Sequence, residues 1–291
     1  MGRMKLRIGA CVLSVIATCW VAAGPGGAEG KETELSALSD SRSAGFDPWG
    51  ATHHRWPSLV DLHIGQEEHY YYWSRPNQRS LLRERTDTNP LNIWVGGDSL
   101  AGGPALGFRE LVREGGWVYT EDVRKSTGVV SDWYFDWRKH LEEEVADGPY
   151  EVIVLSIGGN DWQGFRGGPT EKGSAEWAEK YLQRIQEIFQ ILDRPGRLLI
   201  WVGMPHFKVP FMVPLTDVVN AITREVFSNG ERSVWVNAAS IVSPGGAWTK
   251  HVMRENGELL EVRTDDGTHY QSSGARLITD AVVAAVALKT G

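Results

Sequence analysis

The stretch Ile93-Trp94-Val95-Gly96-Gly97-Asp98-Ser99-Leu100-Ala101-Gly102 reads as a short apolar strand that runs into a turn of small residues. A buried strand handing over to a helix puts the turn at the C-terminal edge of a sheet, which is where open α/β folds bind ligands. Ser99 stands at the tip of that turn. A serine hydroxyl is a weak nucleophile until a neighbouring base takes its proton. Acyl chemistry also needs donors aimed at a developing oxyanion. The rest of the chain is therefore read for a base, a group to orient it, and spare donors.

From residue 91 onward apolar strands alternate with amphipathic stretches, which predicts a mostly parallel sheet with helices on both faces. The predicted strands are Leu91–Val95, Trp117–Val123, Glu151–Ser156, Arg197–Val202 and Ser233–Val236. Between Ser174 and Asp193, Trp177, Tyr181, Leu182, Ile185, Ile188, Phe189 and Leu192 recur at steps of three and four, one apolar helix stripe. A last helix is expected over roughly Ser272–Leu288. Residues 247–264 read as a hairpin turning at Asn256-Gly257 between Val252 and Leu259. Residues 57–87 are expected to form a helical or irregular lead-in on the main sheet, with His63 and Glu67 on a polar helix face. A single domain spanning 51–291 accounts for the whole pattern.

The chain has 291 residues, 42% hydrophobic and 23% charged, with a net charge of -7, so no basic patch points to nucleic acid. Arg3, Lys5 and Arg7 precede an apolar run from Ile8 to Ala23, with small residues suited to cleavage near 23 or 28. The run is shorter than the roughly 20 residues a membrane span needs. Residues 1–28 therefore read as a cleaved signal, giving an exported protein with no stable span, and 29–50 read as a flexible linker. His53-His54 at its end reads as a solvated pair. Both cysteines, Cys11 and Cys19, fall in the signal, which excludes cysteine catalysis and thiolate metal sites in the mature chain.

The candidate base is His269, in the polar loop Thr264-Asp265-Asp266-Gly267-Thr268-His269-Tyr270 before the last helix. Asp266 stands three residues ahead, where a turn can bring its carboxylate to the imidazole and fix the tautomer; Asp265 is the competing carboxylate. Gly128 and Asn160 follow the second and third predicted strands. With the N–H of Ser99 they are candidate oxyanion donors from three strand ends, although each also suits an ordinary turn. Asp98 is read as organising the nucleophile turn, and Asp161 as bracing the Asn160 loop. Trp133 and Trp137 read as core. Trp162 is a candidate pocket wall for substrate, and His206, after the fourth strand, a candidate substrate contact.

Gly97-Asp98-Ser99-Leu100, Gly128, Gly158-Gly159-Asn160-Asp161 and Asp266-Gly267-Thr268-His269 resemble, in order, the four sequence blocks of the SGNH or GDSL-type hydrolases. They cover residues 91–285. Phe135-Asp136-Trp137 and the Gly158–Gln163 block resemble more closely the bacterial exported branch catalogued as DUF459. The resemblance implies a three-layer α/β/α sandwich related to flavodoxin. It also implies Ser99 as nucleophile, His269 as base, Asp266 as orienter, and Ser99, Gly128 and Asn160 as oxyanion hole, with no cofactor or metal. An α/β-hydrolase elbow would need glycine where Ala101 stands. The expectation is an exported serine esterase acting on a small-molecule or carbohydrate ester, such as an O-acyl group on an envelope or extracellular glycan. The same residues would serve an O-acyltransferase, and a non-catalytic carbohydrate-binding module is the remaining alternative.

Overall fold

The computed structural model describes residues 63–67 and 70–74 by their backbone and 81–169, 171–254 and 256–290 in full. The expected signal, the linker, both cysteines and His53-His54 lie outside the described residues.

Apolar residues in the strands face both ways, and the two faces bury different sets. On one face Trp94, Ile153, Leu155, Leu199, Trp201 and Trp235 join one apolar cluster. On the other, Ile93, Val95, Val152, Val154, Leu198, Ile200, Val202, Val234 and Val236 join a second. A strand turns successive side chains to opposite faces. Continuous apolar runs such as Leu198–Val202 thus require cover on both sides. Such runs form β3 (Leu91–Gly97), β5 (Val152–Ser156), β6 (Leu198–Val202) and β7 (Ser233–Val236), while β4 (Trp117–Val123), at the end of the sheet, mixes polar and apolar residues and buries only Trp117. β3 extends two residues beyond its expected end because Gly96 and Gly97 still pair with β4 and β5.

The first face is covered by α3 (Ala175–Leu192) and α4 (Val213–Asn229), the second by α1 (Gly102–Leu111), α5 (Ala238–Val242) and α6 (Ser272–Lys289). α3 begins where Ser174 accepts the Trp177 N–H at 3.2 Å, and its stripe of Trp177, Tyr181, Ile185, Ile188 and Leu192 is buried. With β1 (His63–Glu67) and β2 (Tyr70–Ser74), the resulting α/β/α sandwich has a seven-stranded sheet ordered β1-β2-β7-β6-β5-β3-β4. Its five parallel strands follow the 2-1-3-4-5 order of flavodoxin, whose switch point lies between the first and third strands. Here that point is the gap between β3 and β5. α2 (Trp137–His140) lies in the crossover from β4 to β5, and β8 (His251–Met253) pairs with β9 (Leu259–Glu261) as the expected hairpin.

The lead-in is corrected. Residues 63–67 and 70–74 are strands β1 and β2, an antiparallel hairpin whose second strand pairs with β7 through Tyr72 and Trp73. A run of aromatics suits a strand better than a helix. His63 and Glu67 sit at opposite ends of β1, about 13 Å apart at strand rise, so they form no helix face. Among the described residues, no helix is long and apolar enough to cross a membrane.

Candidate active site

β3 ends in Gly97 and β5 is followed two residues on by Gly158, both glycines at φ +143. A side chain at Gly97 would run into the Ser156 carbonyl, so only glycine lets the two strand ends lie this close. Asp98 then fastens them. Its Oδ1 accepts the Leu100 N–H at 2.8 Å, and its Oδ2 accepts the Gly158 and Gly159 N–H groups at 2.9 and 2.8 Å. The carboxyl is fully buried, and that burial pushes it up to about 6 against the pull of three backbone donors. Ser99 opens a 3-10 turn that leads directly into α1, which leaves its hydroxyl partly exposed at the switch point.

The loop between β9 and α6 brings in the base. His269 Nε2 lies 2.9 Å from Ser99 Oγ, and His269 Nδ1 lies 2.8 Å from Asp266 Oδ2. Asp266 Oδ1 accepts Thr264 Oγ1 at 2.6 Å and the Thr268 and His269 N–H groups at 2.7 and 3.0 Å. Partial burial would raise this carboxyl. The donors, including the imidazole, outweigh it and hold Asp266 well below the usual carboxylate range. Asp265 turns away: its side chain is 85% exposed and pairs with Lys250 Nζ at 2.7 Å. Gly267, at φ +76, makes the turn that lets Asp266 fold back on His269.

Sequence reasoning missed what holds this loop. Arg263 is fully buried, and its guanidinium donates to the carbonyls of His206 at 2.9 Å, Thr268 at 2.9 Å, His269 at 3.3 Å and Gly267 at 3.5 Å. A planar fork of donors suits a ring of carbonyls in this way. The only hint in the sequence is a lone cation between Val262 and Thr264, and its partners are main-chain atoms that no side-chain pattern reveals.

The donor side is built from the loop after β4 and the loop after β5. Asn160 Nδ2 donates one hydrogen to the Thr127 carbonyl at 2.9 Å, leaving the second for a ligand. Among the described residues, the backbone N–H groups of Ser99 and Gly128 donate to no protein acceptor. Thr127 is pinned from behind by Trp137, whose indole N–H reaches Thr127 Oγ1 at 3.0 Å. Asp136 caps α2 through the Arg138 N–H at 3.0 Å. Asp161 joins the two loops: it accepts the Val130 N–H at 3.1 Å and the Tyr181 hydroxyl of α3 at 2.7 Å. A Cβ at Gly128 would overlap its carboxylate. Complete burial pushes Asp161 up to about 7.

Trp137 is core, as expected, but Trp133 is 54% exposed and carries Arg166 over its ring. Trp162 is 40% exposed and meets Phe211, 67% exposed, edge-on at 6.2 Å. This pair spans from the Asn160 loop to the 208–212 segment, which is tied to the histidine loop by the Lys208 N–H on Gly267 O at 3.1 Å. His206 is not beside Ser99 in the bonding scheme; its carbonyl serves Arg263 and its Nε2 lies 3.6 Å from Asp217.

The family described as "Protein of unknown function (DUF459)" matches residues 92–285. No curated protein matches the chain. Similar solved structures include a putative acylhydrolase from Bacteroides fragilis NCTC 9343, 14% identical over 71% of this chain and 90% of that one, TM-score 0.47. An acetyl xylan esterase from Geobacillus stearothermophilus is 14% identical over 72% and 98%, TM-score 0.45. A carbohydrate acetylesterase family member from Sinorhizobium meliloti is 14% identical over 67% and 97%, TM-score 0.43.

Proposed function

The chain belongs to the DUF459 family, and on that footing we propose that it is an SGNH-type serine esterase. The observation that carries this reading is the unbroken relay from Asp266 through His269 to Ser99, at 2.8 and 2.9 Å. Ionised Asp266 accepts the Nδ1–H and leaves Nε2 unprotonated toward the serine hydroxyl. In the reaction Ser99 Oγ attacks the acyl carbonyl while its proton passes to His269 Nε2. The carbonyl oxygen, now negative, is met by the N–H groups of Ser99 and Gly128 and the spare Asn160 N–H. The imidazolium gives its proton to the departing alcohol. Water then enters, His269 takes its proton, and the second tetrahedral intermediate collapses to the acid as the imidazolium returns that proton to Ser99 Oγ.

The site is open to water, since the His269 and Asp266 side chains are 43% and 51% exposed. The exposed Trp162–Phe211 pair supports a substrate with a ring to pack on it, and aromatic faces at a wet site suit the CH face of a sugar. The substrate is therefore read as an O-acyl carbohydrate, met after export directed by residues 1–28. The direct test is turnover of p-nitrophenyl acetate by the purified chain. Ser99→Ala and His269→Ala should each abolish it, and activity surviving in Ser99→Ala overturns the reading.

A further inference from the structure

Ser99 and Asn160 occupy the ends of β3 and β5, but the same sheet edge continues across β6 and β7, where a second cleft of about 300 Å³ opens. His206 after β6, Asp217 of α4, Trp235 of β7, and Asn237, Ser240 and Ser243 around α5 line it. Ser243 is 1% exposed, yet its hydroxyl has no hydrogen-bond partner, and neither has the buried His206 Nδ1. Buried polar atoms are nearly always paired in a folded protein. Two unpaired atoms lining one cleft are the mark of a site that a hydroxylated guest completes. Asn237 spends its Oδ1 on the Ser240 N–H at 3.2 Å, and among the described residues its amide hydrogens have no protein acceptor. Asp217, with a side chain 64% exposed, adds an acceptor.

The lining thus mixes donors and acceptors around an indole, and its charged members, Asp217 and Arg224, are of opposite sign. An ionic ligand would require a net charge that the cleft lacks. A sugar hydroxyl both donates and accepts, which matches this mixed lining; Trp235 is buried and closes the floor of the cleft. We infer that this cleft is a binding subsite for a neutral, hydroxyl-rich sugar ring. It lies two to three strand spacings, about 10–14 Å, along the edge from the Ser99 turn, a span that a short oligosaccharide covers. Arg263 joins the two places, because the guanidinium that holds the His269 loop also binds the His206 carbonyl at 2.9 Å. The link to substrate rests on the esterase reading; binding in the cleft does not.

The test is a titration of the ¹⁵N-labelled full chain with cellobiose and with chitobiose, following the Trp235 indole and Asn237 amide signals. At least one disaccharide should shift both signals saturably, and Ser243→Ala and Asp217→Asn should each weaken that binding about five-fold. Asp217 is at the surface, so its variant keeps the fold even if loss of the buried Ser243 hydroxyl disturbs it. Silence with both sugars up to about 50 mM, shifts caused by acetate or phosphate instead, or affinity unchanged in both variants would each overturn the subsite. Turnover of p-nitrophenyl acetate by the unsubstituted chain separates the two readings. Turnover without sugar binding removes the subsite alone, and sugar binding without turnover removes the esterase reading alone.

Discussion

Asp161 is fully buried and makes no contact with the Ser99–His269–Asp266 relay, yet it ties the Gly128 loop to the Asn160 loop and both to α3. Its carboxyl titrates at 3.8 when free and is pushed up to about 7 in the fold. Through that window the folded chain keeps a proton that the unfolded chain releases, so stability falls as pH rises. Asp161→Asn removes this dependence. In urea denaturation its stability relative to the parent chain should therefore improve between about pH 4.5 and about pH 7.5. A difference that stays flat with pH would show that Asp161 does not titrate there. The two loop aspartates make a second prediction. Asp266→Ala should lower ester turnover by about three to four orders of magnitude, whereas Asp265→Ala, which breaks only an exposed pair with Lys250, should leave it within about three-fold. The reverse ranking in steady-state kinetics would reassign the orienter. The contact of Asp266 with His269 was legible in the sequence from their spacing. The joint role of Asp161 and Gly128 was not, because the residue behind Gly128 comes from 33 positions away in the chain, as the Asn160–Thr127 bond does.

The loop from Thr264 to Tyr270 has no regular structure, and Arg263 and the Lys208 N–H hold it from outside while Asp266 and main-chain bonds hold it from within. Arg263→Lys keeps the charge but not the fork, leaving buried carbonyls unpaired at about 1–3 kcal/mol each. The variant should melt lower and lose kcat at least about ten-fold with KM little changed, as read by thermal denaturation and kinetics on a small acetyl ester. Full activity in Arg263→Lys would mean that the loop holds its own shape. Elements with strong signals were legible: α3 through its stripe, β3, β5, β6 and β7 through their apolar runs, and β8–β9 through Asn256-Gly257. β1 and β2 were not, since short strands at a sheet edge leave only an aromatic cluster that a helix could also use.

The described residues form a mostly parallel sheet covered on both faces, with β2 closing the edge that β7 would otherwise expose. Val234 and Val236 are buried there, and an uncovered apolar edge strand is a template for association. A chain that begins at residue 81 should therefore elute in part as oligomers and melt below one that keeps residues 63–74, by size-exclusion chromatography and thermal denaturation. Equal behaviour would show that the hairpin does not protect the edge. The 2-1-3-4-5 order and its switch point between β3 and β5 explain why four separated sequence blocks meet, and the flavodoxin-related fold that the resemblance implied has that order of strands. What no block implied is the second cleft at β6 and β7, because its lining residues stand singly between ordinary core positions. The central claim is that Ser99 is an activated nucleophile, and reaction of the folded chain with a fluorophosphonate, read by intact mass and peptide mapping, tests it most directly. The account predicts one adduct, on Ser99, lost in Ser99→Ala and slowed in His269→Ala; a folded parent chain that stays unlabelled, or a Ser99→Ala chain labelled as fast as the parent, would contradict it.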